Sequence, residues 1–157
     1  MTTAVVVASK YGTTLEIAQR VAAGLGADTA LFDLADGDPE LAGFDTVVLG
    51  TAVYAGNPLP AMKAFTSANT LDGVRIGLFV GGMETDPAKR EQETAAAFTP
   101  ELLDRSLATA FLGGRFQFAR MTRFERFIVK RVAKVTADAT AIDDAAIASF
   151  VDRLRST

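Results

Sequence analysis

A short apolar run, followed at once by a hydroxyl-rich turn and an amphipathic run, limits this chain to few folds. Residues 4–8 are rich in β-branched valine and too short for a buried helix, so they predict a strand buried on both faces. Apolar residues then recur at helical spacing through residues 14–25. The segment therefore predicts a strand, a tight turn and a helix, the repeating unit of a parallel α/β sheet.

The turn between this strand and this helix has the sequence Ser-Lys-Tyr-Gly-Thr-Thr, residues 9–14. A turn that leads directly into a helix leaves backbone N–H groups unpaired at the positive end of the helix dipole. On these residues alone, two interpretations stay open. In the first, the turn binds a phosphate group, and hydroxyls of Ser9, Thr13 and Thr14 act as added donors. In the second, Thr13 caps the helix, because Thr13 and Glu16 have capping-box spacing.

Composition restricts the chemistry more than it restricts the fold. The 157 residues fit a single domain, and 49% hydrophobic residues supply a core. The chain has no cysteine and no histidine, which excludes disulfides, thiolate nucleophiles, imidazole bases and Cys or His metal ligands. Chemistry must come from carboxylates, lysine, tyrosine, hydroxyls or a bound cofactor, and no side chain stands out as a catalytic acid or base.

The rest of the chain alternates between predicted strands and predicted helices. Strands are predicted at residues 29–33, 46–49, 74–80 and 106–112, with one helical turn at 39–41 and a loop at 51–57. Helix starts are predicted at Pro60, at Asp86 and Pro87, at Thr99 and Pro100, at Thr122 and at Asp143. Strands that alternate with helices predict a doubly wound α/β domain with a parallel sheet.

In such a domain, ligands bind beyond the carboxyl ends of the strands. Residues 9–14, 51–57 and 81–84 follow strands and are expected to share that edge. The turn lacks the three glycines of a dinucleotide fingerprint and the pattern of a Walker loop. A phosphoacceptor domain would need acidic residues where Ser9, Lys10 and Thr51 stand.

One segment, residues 113–135, differs from the rest in charge, and we call it the basic segment. It holds seven basic residues against Glu125, a net charge of +6, within a chain whose net charge is −3. Its pattern predicts an amphipathic helix from Thr122, and the acidic remainder argues against a nucleic-acid partner. Three roles stay open: a surface helix packed on the core, a contact with an anionic membrane surface, and a contact with an anionic substrate.

The turn at residues 9–14 resembles the phosphate loop of the flavodoxins, whose pattern is hydroxyl-x-x-Gly-x-Thr. The resemblance spans nearly the whole chain and implies one flavodoxin-like domain over residues 1–157. That domain has a five-stranded parallel sheet in the order 2-1-3-4-5, helices on both faces, and non-covalently bound FMN. Carried over, the phosphate-binding residues are Ser9, Lys10, Tyr11, Gly12, Thr13 and Thr14. The implied ribityl and ring contacts are Thr51, Ala52, Val53, Tyr54, Ala55, Gly56, Gly81, Gly82 and Met83.

A narrower resemblance is to the menaquinone-dependent protoporphyrinogen oxidases, a flavodoxin-fold group. Lys10-Tyr11-Gly12, residues 14–18 and the basic segment carry this likeness, whereas Ala55 stands where that group usually has an aromatic residue. It implies an FMN oxidoreductase that passes electrons from protoporphyrinogen to a quinone or a redox-protein acceptor. Under it, the residues that contact substrate or membrane are Arg115, Phe116, Arg120, Arg123, Arg126 and Lys130.

Two other functions fit the same residues. An electron-transfer flavodoxin would carry electrons between redox partners and would not need the basic segment. A flavin-free interaction module would keep the fold alone. No apolar run reaches the roughly 18 residues of a spanning helix, so we expect a cytoplasmic protein, with a peripheral contact at the inner face of the membrane as the alternative.

Overall fold

The computed structural model describes residues 2–10, 12–54, 57–82, 84, 86–116, 139–140 and 142–156. Its main sheet contains β1 (Thr3–Ala8), β2 (Thr29–Asp33), β3 (Thr46–Tyr54), β4 (Asn57–Pro58), β5 (Arg75–Gly81) and β6 (Ser106–Phe111). The five long strands are parallel, in the order β2-β1-β3-β5-β6, and the short β4 pairs antiparallel with β3. This confirms the predicted 2-1-3-4-5 order and adds a sixth, two-residue strand.

Helices cover both faces of this sheet. They are α1 (Thr13–Leu25), α2 (Pro60–Ala68), α3 (Pro87–Ala97), α4 (Pro100–Arg105) and α5 (Asp144–Arg155). Residues from α1 and α5 pack in one core cluster, whereas residues from α2, α3 and α4 pack in another. Helices on both faces were predicted, because parallel neighbours need crossover connections.

Strand β1 shows why the sequence forms a buried central strand. All its residues are buried, and Val5 and Val7 belong to the α1–α5 core while Val6 and Ala8 belong to the opposite one. Successive side chains of a strand point to opposite faces, so an unbroken apolar run supplies both cores at once. Hydrophobic burial on both faces therefore fixes β1 in the middle of the sheet.

A glycine in β3 makes room for an aromatic ring in the core. Gly50 lies beside Phe79 of β5, and a Cβ at Gly50 would lie 2.0 Å from Cζ of that ring. Phe79 in turn meets Phe150 of α5 edge to face, with ring centroids 6.0 Å apart. Because Gly50 has no side chain, the ring of Phe79 fits beside it and packs against α5.

Three helices begin where the sequence predicts. The side chains of Asp86, Thr99 and Asp143 accept hydrogen bonds from the first-turn amides of α3, α4 and α5. Proline follows the cap in α3 and α4, where its missing N–H costs nothing. Short-range capping signals are thus sufficient to place these three helix starts.

Several predictions were wrong. Residues 39–41 form no helical turn, and a 3₁₀ turn lies earlier, at Leu34–Asp36, capped by Asp33. Strand β3 continues to Tyr54, where a loop from Thr51 was predicted, because Val53 and Tyr54 pair with β4.

The structure tests only part of the predictions about the membrane. Within the described ranges, no helix is long and apolar enough to cross a membrane. The helix predicted from Thr122 lies outside the described residues.

Candidate functional site

The turn from β1 to α1 is closed by a glycine. Gly12 takes the N-cap position of α1 in the left-handed region, with φ 89° and ψ −9°, and its N–H donates to Ser9 Oγ at 3.1 Å. Thr13 and Thr14 form the first turn of α1 and are buried. The alternative that Thr13 caps the helix was wrong, because a left-handed backbone at Gly12 starts the helix one residue earlier.

In this arrangement the residue at the cap position of α1 supplies no capping side chain. Gly12 has no side chain, so the cap position offers no acceptor to the first amides of the helix. The positive end of the helix dipole and these amides face the carboxyl edge of the sheet, where an anion is stabilised. Lys10 is exposed beside the turn, and Tyr11 lies outside the described residues.

The segment after the centre of β3 is held by one buried hydroxyl. Thr51 is fully buried; its Oγ1 donates to Ala52 O at 3.0 Å and accepts from Leu59 N at 3.3 Å. The hydroxyl therefore joins the end of β3 to the start of α2. Ala52 and Val53 are half-buried, the structure describes Tyr54 by its backbone only, and Ala55 and Gly56 lie outside the described residues.

The end of β5 contacts two other segments through glycines. A Cβ at Gly81 would lie 2.9 Å from Thr14 Oγ1, and a Cβ at Gly114 would lie 2.9 Å from Gly82 O. Gly82 N donates to Gly113 O at 2.9 Å. The start of α1, the end of β5 and the segment after β6 therefore meet at one point. Met83, a further predicted contact, lies outside the described residues.

Two charged side chains of α3 lie near the meeting point of α1, β5 and the segment after β6, and the sequence analysis did not predict them. Arg90 Nε donates to Glu84 O at 2.6 Å, and the guanidinium lies 4.8 Å from the ring centroid of Phe111. Glu93 Oε2 lies 3.6 Å from the position of a Cβ at Gly82. Arg90 and Glu93 are three residues apart on α3, so helical spacing places them on one face. Their neighbours Glu84, Phe111 and Gly82 come from other segments and reach them only through tertiary packing.

Burial raises the pKa of the Glu93 carboxyl group. The nearby charge of Glu84 raises this pKa further, and the positive charge of Arg90 lowers it. A carboxyl group withdrawn from water beside another carboxylate favours its neutral form. Glu93 therefore holds its proton to higher pH than an ordinary glutamate.

The basic segment begins beside this point, and residues 139–140 and 143, which come after it, lie close to its start. Strand β7 (Arg115–Phe116) pairs antiparallel with β8 (Ala139–Thr140), and Asp143 N donates to Leu112 O just before α5. The structure describes Arg115 and Phe116 by their backbone only. The remaining predicted contacts lie outside the described residues: Arg120, Arg123, Arg126 and Lys130.

Solved structures share this architecture over the length of the chain. Flavodoxin 2 from Bacillus cereus is 15% identical, with 99% of each chain covered and a TM-score of 0.60. Flavodoxin from Fusobacterium nucleatum bound to flavin mononucleotide is 15% identical, with 99% of this chain and 97% of that chain covered and a TM-score of 0.57. A flavodiiron core from Synechocystis is 16% identical; 99% of this chain matches 36% of that chain, with a TM-score of 0.56.

At these identities the likeness shows the fold. No curated protein sequence matches the chain significantly. A family model described as a flavodoxin domain matches residues 4–143, which is most of the chain. The chain therefore belongs to the flavodoxin domain family.

Proposed function

We propose that this chain is an FMN-binding redox protein whose turn at residues 9–14 binds the FMN phosphate. One observation carries the assignment: α1 begins, at the carboxyl edge of the sheet, with a left-handed glycine that supplies no capping side chain. A phosphate group supplies the acceptors and the negative charge that such a helix start favours. The F. nucleatum flavodoxin was solved with flavin mononucleotide bound, which supports the same cofactor here.

The residues of the turn fit that group. The bond from Gly12 N–H to Ser9 Oγ shapes the turn, and the buried Thr13 and Thr14 stand at the first turn of α1. Hydroxyls and backbone N–H groups at a helix start are the donors that phosphate oxygens accept. Exposed Lys10 adds a positive charge nearby.

The ring would lie at the segments that follow β3 and β5. Bound FMN supplies hydride and single-electron chemistry, and the protein supplies position and electrostatics. Thr51, inside β3, joins this strand to the start of α2, and the bond from Gly82 to Gly113 joins the segment after β5 to the segment after β6. These bonds help to fix the edge of the sheet at which the ring would lie.

A finer proposal is an oxidoreductase of the menaquinone-dependent protoporphyrinogen oxidase type. It is supported by the sequence resemblance, by the +6 charge of the basic segment and by the place where that segment is anchored, next to Gly82. Arginines pair well with the carboxylates of a porphyrin. The same positive charge would favour a peripheral contact with an anionic membrane surface.

An electron-transfer flavodoxin is the second candidate. It is favoured by the match to whole flavodoxins along nearly the full length of both chains. Anaerobic turnover separates the two candidates: oxidation of protoporphyrinogen with menaquinone as acceptor supports the oxidase. Failure with every quinone, together with reduction of a redox-partner protein, supports the carrier.

Substitution of Gly12 tests the phosphate site. Gly12→Glu places a carboxylate where the phosphate binds, and we expect FMN affinity to fall at least about 100-fold through charge repulsion and steric exclusion. Gly43→Glu is the control, because Gly43 has a similar φ of 91° and nothing within 4 Å of its Cβ position. Affinity is measured by quenching of FMN fluorescence.

Two outcomes contradict the proposal. Wild-type protein that binds no FMN would favour the flavin-free interaction module. A Gly12→Glu variant that purifies yellow, with FMN bound as in the wild type, would show that the FMN phosphate does not bind at residues 9–14.

A further inference from the structure

We propose that Glu93 is an electrostatic tuning residue of the flavin site: by gaining or losing its proton beside Gly82, it changes the relative affinity of the site for oxidised and reduced FMN. The inference rests on the proposed function and adds to it a residue that lies outside the phosphate turn and outside the loops assigned to the ring.

The first argument is position. Helix α3 packs against β4 and against the end of β5, so it lies next to both segments that would flank the flavin ring. Glu93 extends from α3 to the end of β5, where its Oε2 lies 3.6 Å from the Cβ position of Gly82. Gly82 is one of the predicted ring contacts, so this carboxyl group lies beside a residue assigned to the ring.

The second argument is the set of groups that face Glu93. Glu84, from the segment before α3, and Arg90, one turn earlier on α3, are the charges in the described part of the chain that act on it. Strand β6 presents the ring of Phe111, and the segment after β5 presents the backbone of Gly82. Arg90 is itself engaged with Glu84 O and with the Phe111 ring, so it does not fully neutralise the carboxylate.

The third argument is that this carboxyl group is half-buried. A half-buried charge acts on its neighbours through a lower effective dielectric than a charge in open solvent. Reduction adds negative charge to the flavin ring, so a carboxylate at Glu93 disfavours the reduced cofactor. The neutral carboxyl group does not. As pH rises and Glu93 loses its proton, the site therefore prefers oxidised FMN more strongly.

The test compares affinities for oxidised FMN and for dithionite-reduced FMN at about pH 5 and about pH 8. Glu93→Gln keeps the size of the side chain and removes its charge. At the higher pH we expect its relative affinity for reduced FMN to exceed that of the wild type by about fivefold, and at the lower pH, where more of Glu93 carries its proton, we expect a smaller difference. Glu91→Gln, an exposed glutamate on the same helix, is the control and should match the wild type at both values.

A second measurement needs neither the variant nor the cofactor. Carboxyl carbon NMR of the FMN-free wild-type protein should show Glu93 titrating at higher pH than an ordinary glutamate. The inference would be overturned if Glu93→Gln and the wild type had the same ratio of affinities for reduced and oxidised FMN at both pH values. FMN binding, and with it the proposed function, would still stand. An equal effect in Glu91→Gln or an ordinary titration of Glu93 would also overturn the inference. Loss of all FMN binding in the wild type would overturn both.

Discussion

At the scale of the residue, two glutamates with similar sequence surroundings behave differently. Glu91 and Glu93 are both on α3, yet Glu91 is exposed, whereas Glu93 is half-buried near Gly82 and burial raises its pKa. The sequence predicts α3 but not this difference, because the surroundings of Glu93 are created by β5 and by Glu84, which reach it only through folding. Gly12 was missed as the helix cap for a related reason: the T-x-x-E pattern is local, but the left-handed turn depends on the end of β1.

The raised pKa of Glu93 predicts how its replacement changes stability. A carboxyl group whose pKa is higher in the folded state contributes stability at low pH, and that contribution is lost as pH rises through the folded-state pKa. Glu93→Gln should therefore increase the free energy of unfolding at neutral pH. The increase stays below about 1 kcal/mol, because the half-exposed group is screened by solvent.

Urea unfolding of the FMN-free protein at several pH values measures this difference. We expect the gain from Glu93→Gln, relative to the wild type, to shrink as the medium becomes acidic. A gain that grows towards acidic pH would mean that the folded state favours the charged carboxylate, contrary to the sign of the pKa shift.

At the scale of the element, the strands and most helix starts were predictable and the contacts between loops were not. Buried apolar runs and the caps Asp86, Thr99 and Asp143 are local signals, and the structure follows them. The extension of β3 to Tyr54 depends on its pairing with β4. The approach of Gly114 to Gly82 joins the segments after β5 and β6, which are far apart in sequence and meet only when the sheet forms.

Replacing Gly114 tests that approach. In Gly114→Ala the added Cβ would lie 2.9 Å from Gly82 O and 3.0 Å from Gly82 C, so one backbone segment must move. We expect the free energy of unfolding to fall by about 1–3 kcal/mol, as for other overpacked sites. Urea unfolding of the variant and the wild type, with the slope checked for two-state behaviour, gives the difference.

Gly24→Ala is the matched control. Its added Cβ would meet only the side chain of Val151, at 3.1 Å, and alanine gains about 1 kcal/mol over glycine inside a helix. This variant should be about as stable as the wild type. If Gly114→Ala were equally stable, the contact between the segments after β5 and β6 would not hold them in place.

At the scale of the whole molecule, the doubly wound sheet brings the start of α1 and the ends of β3 and β5 to one edge. That much followed from the alternation of strands and helices, because parallel strands place their carboxyl ends together. Which ligand binds there did not follow from the topology. It followed from the absence of histidine and cysteine, from the turn at residues 9–14 and from membership of the flavodoxin domain family.

The most direct test of the central claim is a titration of the FMN-free, ¹⁵N-labelled protein with FMN, followed by amide chemical shifts. We predict saturation at one FMN per chain, with the largest changes at Gly12, Thr13 and Thr14 and at Gly81 and Gly82. Addition of inorganic phosphate alone should shift the first group and leave the second unchanged. An FMN titration that leaves the amides of Gly12, Thr13 and Thr14 unshifted would contradict the account.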